Sequence, residues 1–345
     1  MKYLRLAAFI VGIVILATCS APLDPVTWSE AQKTTIAAAI DQVTIAEANT
    51  IYSEILIVRH VTESTEAELE VVEDAILARF QSYGLTTRKE LVTIDRVDAW
   101  DPVAEENYPV AGTFTMNNLI ATRPGTDSSL PPVYVTTHWD SMPQCVGAND
   151  NGSGVVGCLQ TARVLQGLTL ERDVVFLLFG FEEEAMGGSE AYVANLTEAP
   201  KCVINLEMLG YTNPVQKALP LTDVLLEFPA VGDFIGVVAA DFSRELGLSF
   251  CLVANEFVPQ LPTYMIGADA ALQNNPLLTD FMRSDHISFW ARGMNAVMIT
   301  DTANLREGTP YHTPDDTTAN IDFDFMINVI KVVAAHTALE AGLTP

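Results

Sequence analysis

Residues 133–137, 174–179, 203–206 and 296–300 are apolar or β-branched almost throughout. A strand with one wet face alternates polar and apolar positions, whereas a strand covered on both faces does not. A helical pattern at residues 155–165 separates the first two runs. Strands alternating with helices predict an α/β fold. The expected architecture is a three-layer doubly wound sheet, mostly parallel in the centre with mixed edges, with helices on both faces.

Around this centre the patterns are less uniform. Residues 28–80 read as helical, including an alanine-rich stretch at 35–48 and an acidic one at 62–80 that Gly84 would close as a C-terminal cap. Residues 91–94 and 119–122 read as strands, and 125–127 with Pro131-Pro132 as turns. Residues 322–343 predict an amphipathic closing helix. The stretch 212–282, with Pro214, Pro220, Pro229, Pro259 and Pro262, predicts a loop-rich substrate face. His60 and His336 fall in helical patterns and read as surface or packing residues.

The N-terminus follows other rules. Lys2 and Arg5 precede an apolar run at 6–18 that has the length of a signal-peptide core. That is short of the roughly 20 residues a spanning helix needs. Leu16-Ala17-Thr18-Cys19 resembles a bacterial lipoprotein processing box, with Thr18 an uncommon residue before the cysteine. The expected organisation is a signal at 1–19, a tether at 20–30 and one domain over 31–345. The protein is expected in the periplasm, anchored to the outer membrane through Cys19, or secreted; an uncleaved anchor helix is the alternative. The remaining Cys145, Cys158, Cys202 and Cys251 permit two disulfides in an oxidising compartment. Cys158 and Cys202 read equally well as buried thiols.

Composition narrows the chemistry. Of 345 residues, 49% are hydrophobic, enough for a sizeable core, and 18 basic residues face 44 acidic ones for a net charge of −26. Such a surface repels phosphate backbones and anionic lipid headgroups, so no nucleic-acid partner is expected.

The candidate chemistry sits where the apolar runs end. His138-Trp139-Asp140 follows the first, Glu182-Glu183-Glu184 the second, and Glu207 the third. Ligands of open α/β sheets bind beyond the carboxyl ends of the strands. Asp150, in the loop Gly147-Ala148-Asn149-Asp150-Asn151-Gly152-Ser153-Gly154, joins this edge. Carboxylates at such density repel one another unless a cation neutralises them, which points to a metal site. The loop lacks the Lys-Ser/Thr ending of a phosphate-binding turn. Asp140 is placed to accept the second ring N–H of a metal-bound His138. Adjacent Glu182 and Glu183 project oppositely on an extended segment, which separates a base from a ligand. Ser284-Asp285-His286 reads as a helix start capped by Ser284 or as a support for the site. Tyr311-His312-Thr313-Pro314-Asp315-Asp316 supplies a further histidine from a loop.

These motifs in this order, with Gly188-Ser189 and Asn205-Leu206-Glu207-Met208-x-Gly210 between them, resemble the co-catalytic two-zinc exopeptidases. That family includes secreted bacterial aminopeptidases, glutamate-carboxypeptidase-like enzymes and glutaminyl cyclases. The resemblance covers about residues 115–340. It implies two Zn2+ ions bridged by Asp150, with His138 and Glu207 completing one site and Glu183 and His312 the other. Glu182 would be the general base, aided by Asp140, and the Asp150–Asn151 peptide would be cis. The spacing to Gly188-Ser189 leaves Glu184 outside the set. Asp285, His286 and Tyr311 would support the site or touch substrate. Glu207 departs from the family, where aspartate is usual, which puts the affinity of that metal in question.

The implied activity is release of N-terminal amino acids from peptides. A carboxypeptidase or dipeptidase uses the same parts. A glutaminyl cyclase is opposed by the full ligand set and by Tyr311, where cyclases carry Trp. A binding domain that has lost activity is opposed by the intact Glu182.

Overall fold

A computed structural model describes residues 17–18, 28–215, 229–267 and 279–344. The elements in chain order are β1 (Ala17–Thr18), α1 (Glu30–Ile40), α2 (Ile45–Ile55), α3 (Glu66–Ser82), β2 (Thr86–Asp101), β3 (Glu106–Arg123), β4 (Val133–His138), α4 (Gly154–Leu165), β5 (Thr169–Leu170) and β6 (Val174–Phe179). There follow α5 (Gly187–Asn195), β7 (Cys202–Glu207), β8 (Ile235–Ala239), α6 (Arg244–Phe257), β9 (Thr263–Gly267), α7 (His286–Trp290), β10 (Ala296–Thr300), α8 (Phe323–Glu340) and β11 (Leu343–Thr344).

Among the described residues nine strands form one sheet, in the order β1-β9-β8-β10-β7-β4-β6-β3-β2. The centre, β10-β7-β4-β6, is parallel. Antiparallel β3 joins one side and antiparallel β8 the other. The expected mixed-edge α/β sheet is what the chain forms.

Its central strands are apolar on both faces because each face has its own helix layer. Val133, Val135, Phe176, Leu178, Ile204, Val297 and Ile299 pack into the core beneath α1, α2, α3, α4, α6 and α8. Tyr134, Leu177, Phe179, Val203 and Met298 turn the other way, toward α5 and α7. Truncating one such buried aliphatic to Ala costs about 2–5 kcal/mol.

Several expectations need correction. The 35–48 stretch is two helices, because the chain breaks after Ile40 and Thr44 caps α2 by accepting the Glu47 amide. Gly84 does close α3, at φ 84°. Strands β2 and β3 are far longer than the two short runs, forming a hairpin with a register shift between Ile94 and Arg96. Its exposed positions mix polar residues with Leu91, Tyr108, Ala111 and Gly112, so no polar/apolar alternation marks its full extent. The loop-rich reading of 212–282 fails at 235–267, a regular β8-α6-β9 unit whose Pro259 and Pro262 lie between α6 and β9. The parts of that reading at 216–228 and 268–278, including Pro220, lie outside the described residues. Helix α8 is buried on nearly all sides rather than amphipathic, since α1, α4 and α6 all pack on it.

Cys145, Cys158 and Cys202 are free buried thiols. No disulfide therefore links any pair among the four cysteines considered, and the buried-thiol reading of Cys158 and Cys202 holds. Apart from Ala17–Thr18, which pair with β9, the expected signal and the lipidation of Cys19 lie outside the described residues. Among the described residues no helix is long and apolar enough to cross a membrane.

Candidate metal centre

Parallel strands bring the candidate side chains to one edge. His138 ends β4 and Glu207 ends β7, while Glu182 and Glu183 follow β6 after a short turn. Asp150 lies in the tight loop entering α4, and His312 in the loop between β10 and α8. The loop needs its glycines. Gly147 has φ 55°, and a Cβ there would collide with the Asp150 carbonyl. A Cβ on Gly154 would collide with the Thr137 hydroxyl, so the helix could not approach β4.

The two Asp150 carboxylate oxygens face different partners. Oδ1 is 3.3 Å from His138 Nε2, and Oδ2 is 3.2 Å from His312 Nε2. Glu207 Oε2 lies 3.5 Å from His138 Nε2, and Glu183 Oε2 lies 3.3 Å from His312 Nε2. Glu182 Oε2 is 3.7 Å from His138 Nε2. The five residues expected as ligands and the expected base thus converge. The Asp150–Asn151 peptide is cis, as the resemblance implied.

A surrounding set of polar groups fixes this cluster. Asp140 Oδ1 lies 3.3 Å from His138 Nδ1, and its two oxygens accept the amides of Glu182 and Glu183, each at 3.2 Å. Asp316 accepts the Asn149 amide at 2.7 Å and the Asp150 amide at 2.9 Å. Asn151 Nδ2 donates to the Leu206 carbonyl at 2.8 Å. Arg59 is fully buried, and among the described residues no carboxylate pairs with it. Its guanidinium donates to the carbonyls of Trp139, Val146 and Gly147, bracing the loop between His138 and Asp150.

Ser284 does not cap α7, whose start has no side-chain cap. Its hydroxyl donates to Glu207 Oε2 at 2.6 Å and accepts from Asn205 Nδ2 at 2.7 Å, while Thr136 donates to Asn205 Oδ1 at 2.6 Å. This relay fixes the longer Glu207 side chain. Asp285 is buried, and burial followed by the nearby Glu207 and Asp140 charges raises its carboxyl to about 7 against the pull of His138. His286 lies away from the cluster, against Trp290 and the Phe281 carbonyl, and burial lowers it to about 4. Tyr311 stacks on His312 at 3.7 Å between ring centres. His60, expected on a helix, is buried in the loop after α2.

Sequence reasoning left Arg59, His60, Asn151 and Asn205 without a role. A basic pair inside the apolar stretch at 55–61 was the available signal for the first two. Asn151 and Asn205 stood inside motifs already in view.

The electrostatics favour a cation. Burial, then Glu207 and Glu183, push Glu182 well above the usual carboxylate range, with His138 opposing. Burial also raises Glu183 and Glu207. Burial alone would lower His312, but Glu183 and Asp150 push it up to about 10. Both ring nitrogens of His138 and Glu183 Oε1 are buried without a hydrogen bond. Donor atoms of His138, Glu182 and Glu207, and of His138, Asp150 and Glu183, lie within 4.8 Å of one another. Imidazole and carboxylate donors without thiolate suit zinc at a catalytic site.

A mixed α/β sheet with imidazole and carboxylate donors gathered beyond its central strands defines a metallopeptidase of the zinc-exopeptidase type. The chain belongs to peptidase family M28, whose model matches residues 118–232 and 255–337, more than half of the sequence. YfbL of Escherichia coli (strain K12) is 29% identical over 248 residues, covering 67% of this chain and 73% of that protein. Aminopeptidase YwaD of Bacillus subtilis (strain 168) is 30% identical over 219 residues, covering 60% of this chain. The match spans 41% of YwaD's length. The solved aminopeptidase from Aneurinibacillus sp. strain AM-1 shares the fold, with a TM-score of 0.65 at 17% identity, covering 90% of this chain and 97% of that one.

Proposed function

We propose that the protein is an aminopeptidase that removes N-terminal residues from peptides at a centre of two zinc ions. The observation that carries this is the Asp150 carboxylate, whose two oxygens face separate donor sets, His138 with Glu207 and His312 with Glu183. Zinc held by these residues supplies Lewis acidity at the scissile carbonyl and lowers the pKa of water toward about 7.

The chain's own groups supply the rest. Glu182 lines the cleft beside the cluster, where its carboxylate takes the proton of the attacking water and passes it to the leaving amine. Asp140 holds the amides of both glutamates and faces the far nitrogen of His138, which orients that ring. Met186, Met208 and Phe281 give the cleft apolar walls, which limit water around the reacting bond. The Ser284 hydroxyl holds Glu207, so the longer side chain keeps its place as a ligand.

The test is Glu182→Gln, assayed on aminoacyl-anilides, blocked peptides and glutaminyl peptides. Zinc content should match the unaltered protein, with turnover of free aminoacyl substrates lower by about 10²- to 10⁴-fold. Chelation should abolish activity in the unaltered protein, and zinc should restore it. Retained turnover by Glu182→Gln would sink the assignment of the base. Activity confined to blocked or glutaminyl peptides would sink the aminopeptidase reading.

A further inference from the structure

We infer that Glu184 and His60 form a positioning clamp that holds the segment bearing Glu182 and Glu183 in place at the metal centre. The inference rests on the roles proposed above for those two glutamates.

Glu184 is the third of three consecutive glutamates, and it takes no part in the cluster around Asp150. Its Oε1 accepts a hydrogen bond from His60 Nε2 at 3.0 Å and another from the Asp98 amide at 2.8 Å. The Thr62 amide donates to His60 Nδ1 at 3.3 Å, which places the ring proton on Nε2, toward Glu184. His60 is 2% exposed and the Glu184 side chain 10%. Three distant pieces of chain meet at this carboxylate: the loop after α2, β2 beyond its register shift, and the turn after β6.

That turn needs holding. Phe181, Ala185 and Met186 have φ of 58°, 59° and 61°, a left-handed conformation that side-chain-bearing residues keep only where their surroundings enforce it. Asp140 grips one side of the turn through the Glu182 and Glu183 amides. Glu184, the next residue, ties the turn to His60 and to the Asp98 amide of β2. Within the turn the Met186 amide donates to the Glu182 carbonyl at 2.8 Å, and the Gly187 amide to the Phe181 carbonyl at 2.7 Å. Ala185 and Met186, just beyond the clamp, line the cleft. The clamp therefore fixes two things at once: the direction in which Glu182 projects and the wall that Met186 presents to substrate. Glutamine at 184 keeps an Oε1 acceptor for both donors, whereas alanine removes it.

The experiment uses the full chain and the variants Glu184→Ala, Glu184→Gln, His60→Ala and the double alanine variant. Hydrogen exchange is measured over residues 181–190 with and without zinc, and kcat, KM and zinc content are measured on the same samples. In Glu184→Ala the Met186 and Gly187 amides should exchange about tenfold faster or more, with β4 and α4 unchanged. At saturating zinc its kcat should fall about 10- to 100-fold, with a smaller rise in KM from the loosened Met186 wall. Glu184→Gln should restore exchange and kcat to within about threefold of the unaltered chain. His60→Ala removes one donor only; it should show the same local exchange, and the double variant should add little to Glu184→Ala. Unchanged exchange over 181–190 in both single alanine variants overturns the clamp. So does a Gln variant as impaired as Ala, or additive losses in the double variant. Faster local exchange in a protein that cleaves no peptide would support the clamp and count against the proposed function instead.

Discussion

His138 and His60 are both buried and both face carboxylates, yet their surroundings are opposite in kind. Around His138 stand Asp140, Asp150, Glu182 and Glu207, and neither ring nitrogen makes a hydrogen bond. Around His60 one carboxylate stands among the described residues, and both ring nitrogens are engaged, by Glu184 and by Thr62. Buried polar groups are normally satisfied, because leaving one unpaired costs about 1–3 kcal/mol. The satisfied pair is shape-holding structure. The unsatisfied cluster is a set of donors arranged for a cation, and its surplus of carboxylate over imidazole gives the sign of the charge it takes.

The strongest way to break this contrast is to disturb the group that joins the cluster to its frame. Asp140→Asn keeps the size of the side chain but turns an amide NH2 toward a backbone N–H that now donates to a carboxylate oxygen. Zinc affinity or kcat should fall by about 10- to 100-fold, measured by competition with a chelator and by steady-state kinetics. Unaltered values in both would mean that Asp140 neither orients His138 nor holds the glutamates.

His336 sharpens the comparison with a smaller effect. It lies within α8 against the Phe250 ring, both of its nitrogens lack hydrogen bonds, and among the described residues one carboxylate approaches, Glu340 at 3.6 Å, itself paired with Lys201. One carboxylate does not overcome burial, which lowers this histidine from 6.5 to about 4. The unfolded chain therefore binds a proton that the folded chain refuses between about pH 6.5 and pH 4. Stability from this group is complete above about 6.5 and declines as pH falls toward 4, by on the order of 3 kcal/mol. His336→Leu leaves no polar atom unpaired and removes that proton uptake. Denaturant unfolding across this range should show a shallower loss of stability in the variant than in the unaltered chain. Parallel curves would mean that His336 titrates normally in the fold.

The sheet and most of the site were legible in the sequence because the two signals reinforce each other. Strands covered on both faces read as unbroken apolar runs, and the residue after each run is where ligands gather, so His138, Glu182, Glu183 and Glu207 announced themselves by position. The β8-α6-β9 unit was hidden because Ile235–Ala239 is a short run carrying a glycine, with prolines on both sides. The β2–β3 hairpin was hidden because its exposed positions mix polar residues with Leu91, Tyr108 and Ala111, which breaks the alternation a strand shows. Helix α8 read as amphipathic because periodicity reports one dry face, whereas α1, α2, α4 and α6 and the sheet all pack on it. Ser284 read as a cap from its place before a helix; its contact with Glu207 spans 77 residues of sequence and leaves no local trace. His60 and Glu184 lie 124 residues apart, and each is ordinary in its own neighbourhood.

The central claim is that Asp150 joins two metal sites. Anomalous diffraction at the zinc edge from crystals of the zinc-loaded protein tests it most directly. Two peaks are predicted on either side of the Asp150 carboxylate, one against His138 and Glu207 and the other against His312 and Glu183. A single peak, or peaks away from Asp150, would contradict the account.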